Sequence, residues 1–149
     1  MKQAIRAIVT NGNQMLVMKR NKFGKQYYTL LGGAVEIGEE LEAALRRELG
    51  EEASLQVGRV QLVYIEDADP PYGTQYIYWC EYQGGEPVLG TDSIEAEISK
   101  GGQNTYEPMW LPIADLPNVN FVSTSLKNAL IDAFAHGFPS EPQQLFWRQ

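Results

Sequence analysis

The chain has 149 residues, is 44% apolar and carries 12 basic against 19 acidic side chains, a net charge of −7. That supports one domain with a real core, residues 1–149, and leaves too little chain for a second of ordinary size. No apolar run approaches the roughly 20 residues of a membrane span, and the acidic balance argues against grip on a nucleic-acid backbone; the expectation is a cytoplasmic protein with no membrane and no nucleic-acid polymer among its partners, monomeric or homodimeric.

Two residue types occur once each. Cys80 alone cannot form an internal disulfide or a cysteine-rich zinc cluster. His136 alone excludes a Ser-His or Cys-His triad unless it falls in a cleft.

In chain order, Ala4 to Thr10 and Met15 to Met18 flank Asn11-Gly12-Asn13, the strongest short-range signal for a hairpin. Lys19, Arg20, Lys22 and Lys25 then read either as a charged loop after a strand or as a patch that steers phosphate. A helix follows from about Glu39 to Ala53, then strands at Gln61 to Ile65 and at the aromatic alternation Gln75 to Tyr82, which includes Cys80 as a small core residue. Between these strands, Pro70-Pro71-Tyr72 reads as a proline turn. The polar stretch Thr91 to Glu107, with Asp92, Glu95, Glu97 and Glu107, reads as a loop that supplies one more acid, from Glu97 or Glu107. A strand at Met109 to Leu111 precedes a helix from about Thr124 to His136, where Leu126, Ala129, Leu130, Ala133 and Phe134 keep helical spacing and Gly137 suits a cap. Strands and helices mixed in this way predict an α/β or α+β sandwich.

The first helix is the informative one. Leu41, Leu45, Leu49 and Ala53 form its buried stripe, and Glu48 and Glu52 fall on or beside that stripe, while Glu40, Ala43, Arg47 and Gly50 take the solvent side. Carboxylates are favoured in a helix's first turn and disfavoured in its last. Glu39 and Glu40 obey that rule, whereas Glu48, Glu51 and Glu52 break it and also repel one another. Something positive belongs at that corner. Oxygen ligands one turn apart suit Mg²⁺ or Mn²⁺, which keep several waters and share coordination with substrate phosphates.

Gly33, Glu39 and the run Arg47-Glu48-Leu49-Gly50-Glu51-Glu52-Ala53-Ser54-Leu55 resemble the Nudix box of the Nudix hydrolases. Ser54 stands where the family usually has Gly, and Leu31 where Pro often precedes the paired glycines; both departures bear on loop geometry and leave the acids intact. The resemblance implies an α/β/α sandwich with a mixed sheet between helices. It implies Mg²⁺- or Mn²⁺-dependent hydrolysis of a nucleoside diphosphate linked to another moiety, ADP-ribose or nucleotide sugar ahead of dinucleoside polyphosphate or nucleoside triphosphate. By position, Glu48 and Glu52 would be the main metal ligands, Glu51 a further ligand or the general base with Glu48 as the alternative, and the Gly32 carbonyl a further donor. Arg47 would orient the carboxylates through an ion pair with Glu39. Lys19, Arg20, Tyr72 and Glu97 are the candidate substrate contacts. Family spacing places a Pro past the box in ADP-ribose pyrophosphatases and a Tyr slightly beyond it in dinucleoside polyphosphate hydrolases, and Pro70-Pro71-Tyr72 satisfies both. The competing expectations are a nucleotide-binding or regulatory module without turnover and a cation-binding domain unrelated to phosphate.

Overall fold

The computed structural model describes residues 2–91 and 93–148. Two strands, β1 (Gln3–Asn11) and β2 (Gln14–Lys22), form the expected hairpin, with Asn11 paired to Gln14 and Gly12 in the left-handed region at φ 62°. The chain returns as β3 (Lys25–Thr29) and β4 (Leu31–Ala34), then enters helix α1 (Leu41–Ala53). After α1 come β5 (Gln56–Ala68), β6 (Gly73–Gly84), α2 (Ile94–Ser99), β7 (Asn104–Pro112), a 3₁₀ segment at Ile113–Asn118, α3 (Thr124–His136) and β8 (Gln143–Trp147).

β1 is the hinge between two groups of strands. It pairs antiparallel with β4 and parallel with β6, and β5 and β8 extend that side. On the other side β2 carries β3 and β7, both antiparallel. β1 is buried on both faces because helices cover both. Ile5, Ala7 and Val9 pack with Leu45 and Leu49 of α1, whereas Ile8 packs with Ile77, Tyr64 and the α3 residues Leu126 and Leu130. The mixed sheet between helices is the sandwich expected from sequence.

Several local expectations are corrected. Helix α1 starts at Leu41, so Glu39 and Glu40 precede it and Glu40 caps it without a side-chain bond. The basic residues Lys19 to Lys25 are strand, not loop: β2 runs to Lys22 and β3 starts at Lys25. The polar stretch contains α2, capped by Ser93, whose hydroxyl accepts from the Ala96 amide at 3.1 Å. Asp92 lies outside the described residues.

Ser54 shows how a non-glycine ends α1. It adopts φ 56°, the left-handed conformation that usually falls to Gly, and its hydroxyl donates to the Val88 carbonyl at 2.9 Å. Among the described residues no helix is long and apolar enough to cross a membrane.

Candidate active site

The two strand groups diverge from the β1–β2 turn and leave a cleft of about 530 Å³ between them. Because side chains alternate along a strand, one face of β2 and β3 supplies Met18, Arg20, Lys22, Lys25, Tyr27 and Thr29 to one wall. The same alternation turns Lys19 to the other face, opposite Tyr28 and Glu107, so of the expected contacts Arg20 reaches the cleft and Lys19 does not. Arg20 is fixed there: its guanidinium lies 3.7 Å from the Tyr106 ring centre and donates to Asn104 Oδ1 at 2.5 Å and to the Thr105 carbonyl at 3.2 Å.

The facing wall belongs to β1, β5 and β6. Arg6 donates to Gln75 Oε1 at 3.1 Å and to the Leu30 carbonyl at 3.3 Å, and Glu66, Ala68 and Ile77 complete that wall. Tyr72 lines the far end, its ring 5.2 Å from that of Trp147.

At the α1 side of the cleft sits Glu52, with Glu48 beside it. Glu48 and Glu52 are 8% and 4% exposed, the two buried carboxylates of the helix. Glu52 Oε1 is buried and has no hydrogen-bond partner among the described residues. Burial first, then the facing Glu48, pushes the Glu52 carboxyl from the usual 4.5 up to about 9, against a small opposing pull from Arg6. A buried, unpartnered oxygen beside a second carboxylate costs several kcal/mol unless a cation or proton compensates it. The residues therefore fit a divalent cation. Among the described residues no group of three or more His, Cys, Asp and Glu side chains lies close enough together to hold a metal ion by itself. Gly32 also lines the cleft.

Arg47 organises this corner. It is only 25% exposed because it folds back along α1, so its side chain is not on the solvent side as helical spacing suggests. Its Nε and Nη2 grip Glu39 at 2.8 and 3.0 Å, its Nη1 reaches Glu48 at 3.0 Å and Glu51 at 3.4 Å, and Nη2 also donates to the Ala34 carbonyl at 3.2 Å. The bond from Arg47, with the Glu36 amide, holds the Glu39 carboxyl at about 2, and the guanidinium pKa rises in turn. Glu51 is half-exposed. A carboxyl whose folded pKa lies below its unfolded 4.5 adds stability above that pH and loses it as pH falls toward about 2. The melting temperature of Glu39→Gln is therefore expected to lie below wild type at pH 6 and to converge on it near pH 2; parallel curves throughout would show that the pair with Arg47 contributes nothing.

The paired glycines have separate reasons. A Cβ on Gly32 would lie 1.9 Å from the Ile5 carbonyl oxygen, a clash with backbone, whereas a Cβ on Gly33 would lie 2.6 Å from Glu48 Oε1, a clash with a side-chain end. Gly32→Ala is expected to cost about 3 kcal/mol or more by forcing β4 off β1. Gly33→Ala is expected to cost less, about 1 kcal/mol for the strained Arg47–Glu48 bond, while it displaces the Glu48 carboxylate and weakens Mn²⁺ binding about tenfold or more. Calorimetry and Mn²⁺ titration on both variants check the contrast; equal loss of stability would refute it.

The structure does not bring the expected fourth acid into place. Glu97 turns outward to Lys100 at 2.9 Å, and Glu107 lies in register with Lys19. Glu95 lines the cleft instead and raises the Glu52 pKa by its charge. The signal for it was available, since Ser93 before Ile94 is an N-cap and a helix from there separates Glu95 from Glu97 by about 200°. Sequence reasoning also missed Arg6, Glu66 and Gln75, which read as ordinary strand positions.

Comparison with known proteins bears on the family and the fold. The NUDIX domain family model matches residues 1–129. NAD-capped RNA hydrolases named NudC are 29% identical over 136 residues in Deinococcus radiodurans, covering 89% of this chain and 45% of that protein, and 30% identical over 127 residues in Pseudomonas putida, covering 85% and 42%. The chain thus spans under half the length of these curated relatives. Among solved structures, a NUDIX hydrolase from Nitrosomonas europaea superposes with a TM-score of 0.72 at 18% identity, covering 99% of this chain and 79% of that one. A MutT from work on Aliivibrio salmonicida and Vibrio cholerae gives 0.69 at 23%, covering 89% and 98%. An ADP-ribose pyrophosphatase from Streptococcus suis gives 0.65 at 18%, covering 97% and 98%. These structures share the fold.

Proposed function

The chain belongs to the NUDIX domain family, and on that premise we propose that it hydrolyses a phosphoric anhydride bond in a nucleoside diphosphate linked to a further group. One observation carries the proposal: Glu52, a buried carboxylate with one oxygen that no donor among the described residues reaches and with Glu48 beside it, lines a cleft whose other wall bears Arg20, Lys22 and Lys25. Glu48 and Glu52 would hold a divalent cation, with the Gly32 carbonyl as a further donor. When bound, Mg²⁺ or Mn²⁺ offsets phosphate charge and acidifies water.

The remaining steps belong to the chain's own side chains. The basic wall binds the phosphate oxygens and sets the diphosphate across the cleft. Arg47 is a positioning residue: it fixes Glu48 and Glu51 by pairing with both while Glu39 anchors its other edge. Glu51, open to water, accepts the proton of the water that attacks phosphorus, with Glu48 as the alternative. Tyr72 and Trp147 offer ring faces to the substrate's planar groups.

ADP-ribose and nucleotide sugars are the favoured substrates, ahead of dinucleoside polyphosphates and nucleoside triphosphates. The similarity to NAD-capped RNA hydrolases adds a substrate that a net charge of −7 argues against as a polymer, although its capping dinucleotide has the right chemistry. The test is release of nucleoside monophosphate from ADP-ribose, NAD, nucleotide sugars, dinucleoside polyphosphates, nucleoside triphosphates and an NAD-capped oligoribonucleotide, with Mg²⁺ and with EDTA. EDTA-sensitive cleavage of one class is expected. Binding without cleavage of any would make the chain a nucleotide-binding module instead.

A further inference from the structure

Glu66 is a buried carboxylate that the hydrolytic chemistry leaves unused. It is 3% exposed, it lines the cleft, and it sits on β5 opposite Gln75 of β6. One of its oxygens, Oε2, accepts from the hydroxyls of Ser123 and Ser125 at 2.5 and 2.6 Å. Ser123 is also the N-cap of α3, accepting from the Leu126 amide at 3.1 Å, so its hydroxyl is fully committed. Among the described residues Oε1 receives no hydrogen bond. The anchoring of α3 to β5 accounts for Oε2 and leaves Oε1 without a role.

The surroundings of Oε1 suit a planar ring with an N–H edge. Gln75, next to Glu66 across the strands, is already spent: its Oε1 accepts from Arg6 and its Nε2 donates to the Tyr72 carbonyl at 3.1 Å. That bond ties the Tyr72 loop beside Glu66, and Trp147 lies against Tyr72 at the same end of the cleft. Across β6, Ala4 of β1 is in register with Gln75 and Arg6 is two residues further along, roughly 12 Å from Glu66 between backbones, and beyond Arg6 is Glu52. A nucleotide with its phosphates at the acidic and basic corner thus has its base near the aromatic pair and its edge toward Glu66.

The geometry points to Glu66 as a specificity-determining residue that accepts a hydrogen bond, through Oε1, from an exocyclic amino group on the substrate's base. This rests on the nucleotide reading above and adds to it the part of the ligand that is recognised. A base with a carbonyl in place of that amino group, hypoxanthine against adenine or uracil against cytosine, sets oxygen against oxygen, and one with a bare C–H there, hypoxanthine against guanine, leaves the acceptor unpaired; either loss discriminates far more strongly than a missing contact in an apolar pocket. Adenine, guanine and cytosine each present such an amino group, at different ring positions.

The test is equilibrium binding of AMP, GMP, IMP, CMP and UMP by calorimetry with Mg²⁺ present. Monophosphates have no anhydride bond, so binding is read apart from turnover. In wild type, one amino-bearing nucleotide is expected to bind about tenfold or more tightly than its amino-free counterpart, AMP or GMP against IMP or CMP against UMP; which one does so identifies the base. In Glu66→Gln the amide oxygen still accepts from Ser123 and Ser125 while its NH₂ group faces the cleft, so that nucleotide should fall to the level of its counterpart. Equal binding within every such comparison in wild type, no binding of any, or discrimination that survives in Glu66→Gln would overturn the assignment; should the variant not fold, the wild-type panel alone decides. Amino selectivity without hydrolysis of any anhydride would retain this inference and refute the enzyme, and hydrolysis indifferent to the base would do the reverse.

Discussion

Glu52→Gln is expected to reduce anhydride hydrolysis on the order of a hundredfold or more and, in EDTA, to raise the melting temperature above that of wild type. The two effects come from one feature. Glu52 is buried against Glu48 with an oxygen that no donor among the described residues reaches, so without a cation it strains the folded chain, and a neutral amide of the same shape relieves that strain. The group that costs stability is the group the cation requires. Initial rates with Mg²⁺ and scanning calorimetry in EDTA read both sides. A variant that melts below wild type in EDTA would mean that Glu52 is a structural acid, and one that hydrolyses at the wild-type rate would remove it from the metal site.

Arg47→Ala is expected to cost about 3 kcal/mol of stability together with most of the activity. Arg47 is three-quarters buried at its side chain and joins Glu39, Glu48 and Glu51 with the Ala34 carbonyl. Removing it leaves the largely buried Glu39 and Glu48 without their cation. Arg47→Lys should recover less than half of the loss, because an ammonium cannot make the two-pronged contact that Glu39 receives at 2.8 and 3.0 Å. Urea denaturation of the three proteins measures it. Equal stability of all three would show that the ion pairs are surface decoration with no net effect.

Much of this corner was legible because its residues violate local rules. Carboxylates in the last turn of a helix oppose its dipole, and Glu48 and Glu52 border an apolar stripe, so their placement needs a reason outside the helix. The fold class was legible for the opposite reason, since the hairpin at Gly12 and the amphipathic α3 follow their local preferences. What escaped depends on partners far along the chain. β4 is four residues with two glycines, and it forms a strand only because β1 passes so close to Gly32 that no Cβ fits. The division between Lys19 and Arg20 follows from β2 continuing to Lys22, which periodicity in a basic stretch does not reveal. Glu66 and Ser123 are 57 positions apart, and no spacing rule joins them.

We propose that Glu48 and Glu52 hold a divalent cation at the C-terminal end of α1. Titration of Mn²⁺ into wild type and into the double variant Glu48→Gln/Glu52→Gln, followed by the loss of the free Mn²⁺ spin-resonance signal, tests it most directly. Saturable binding by wild type that the double variant lacks is expected. Equal binding by both would place the cation elsewhere and remove Glu48 and Glu52 from its site.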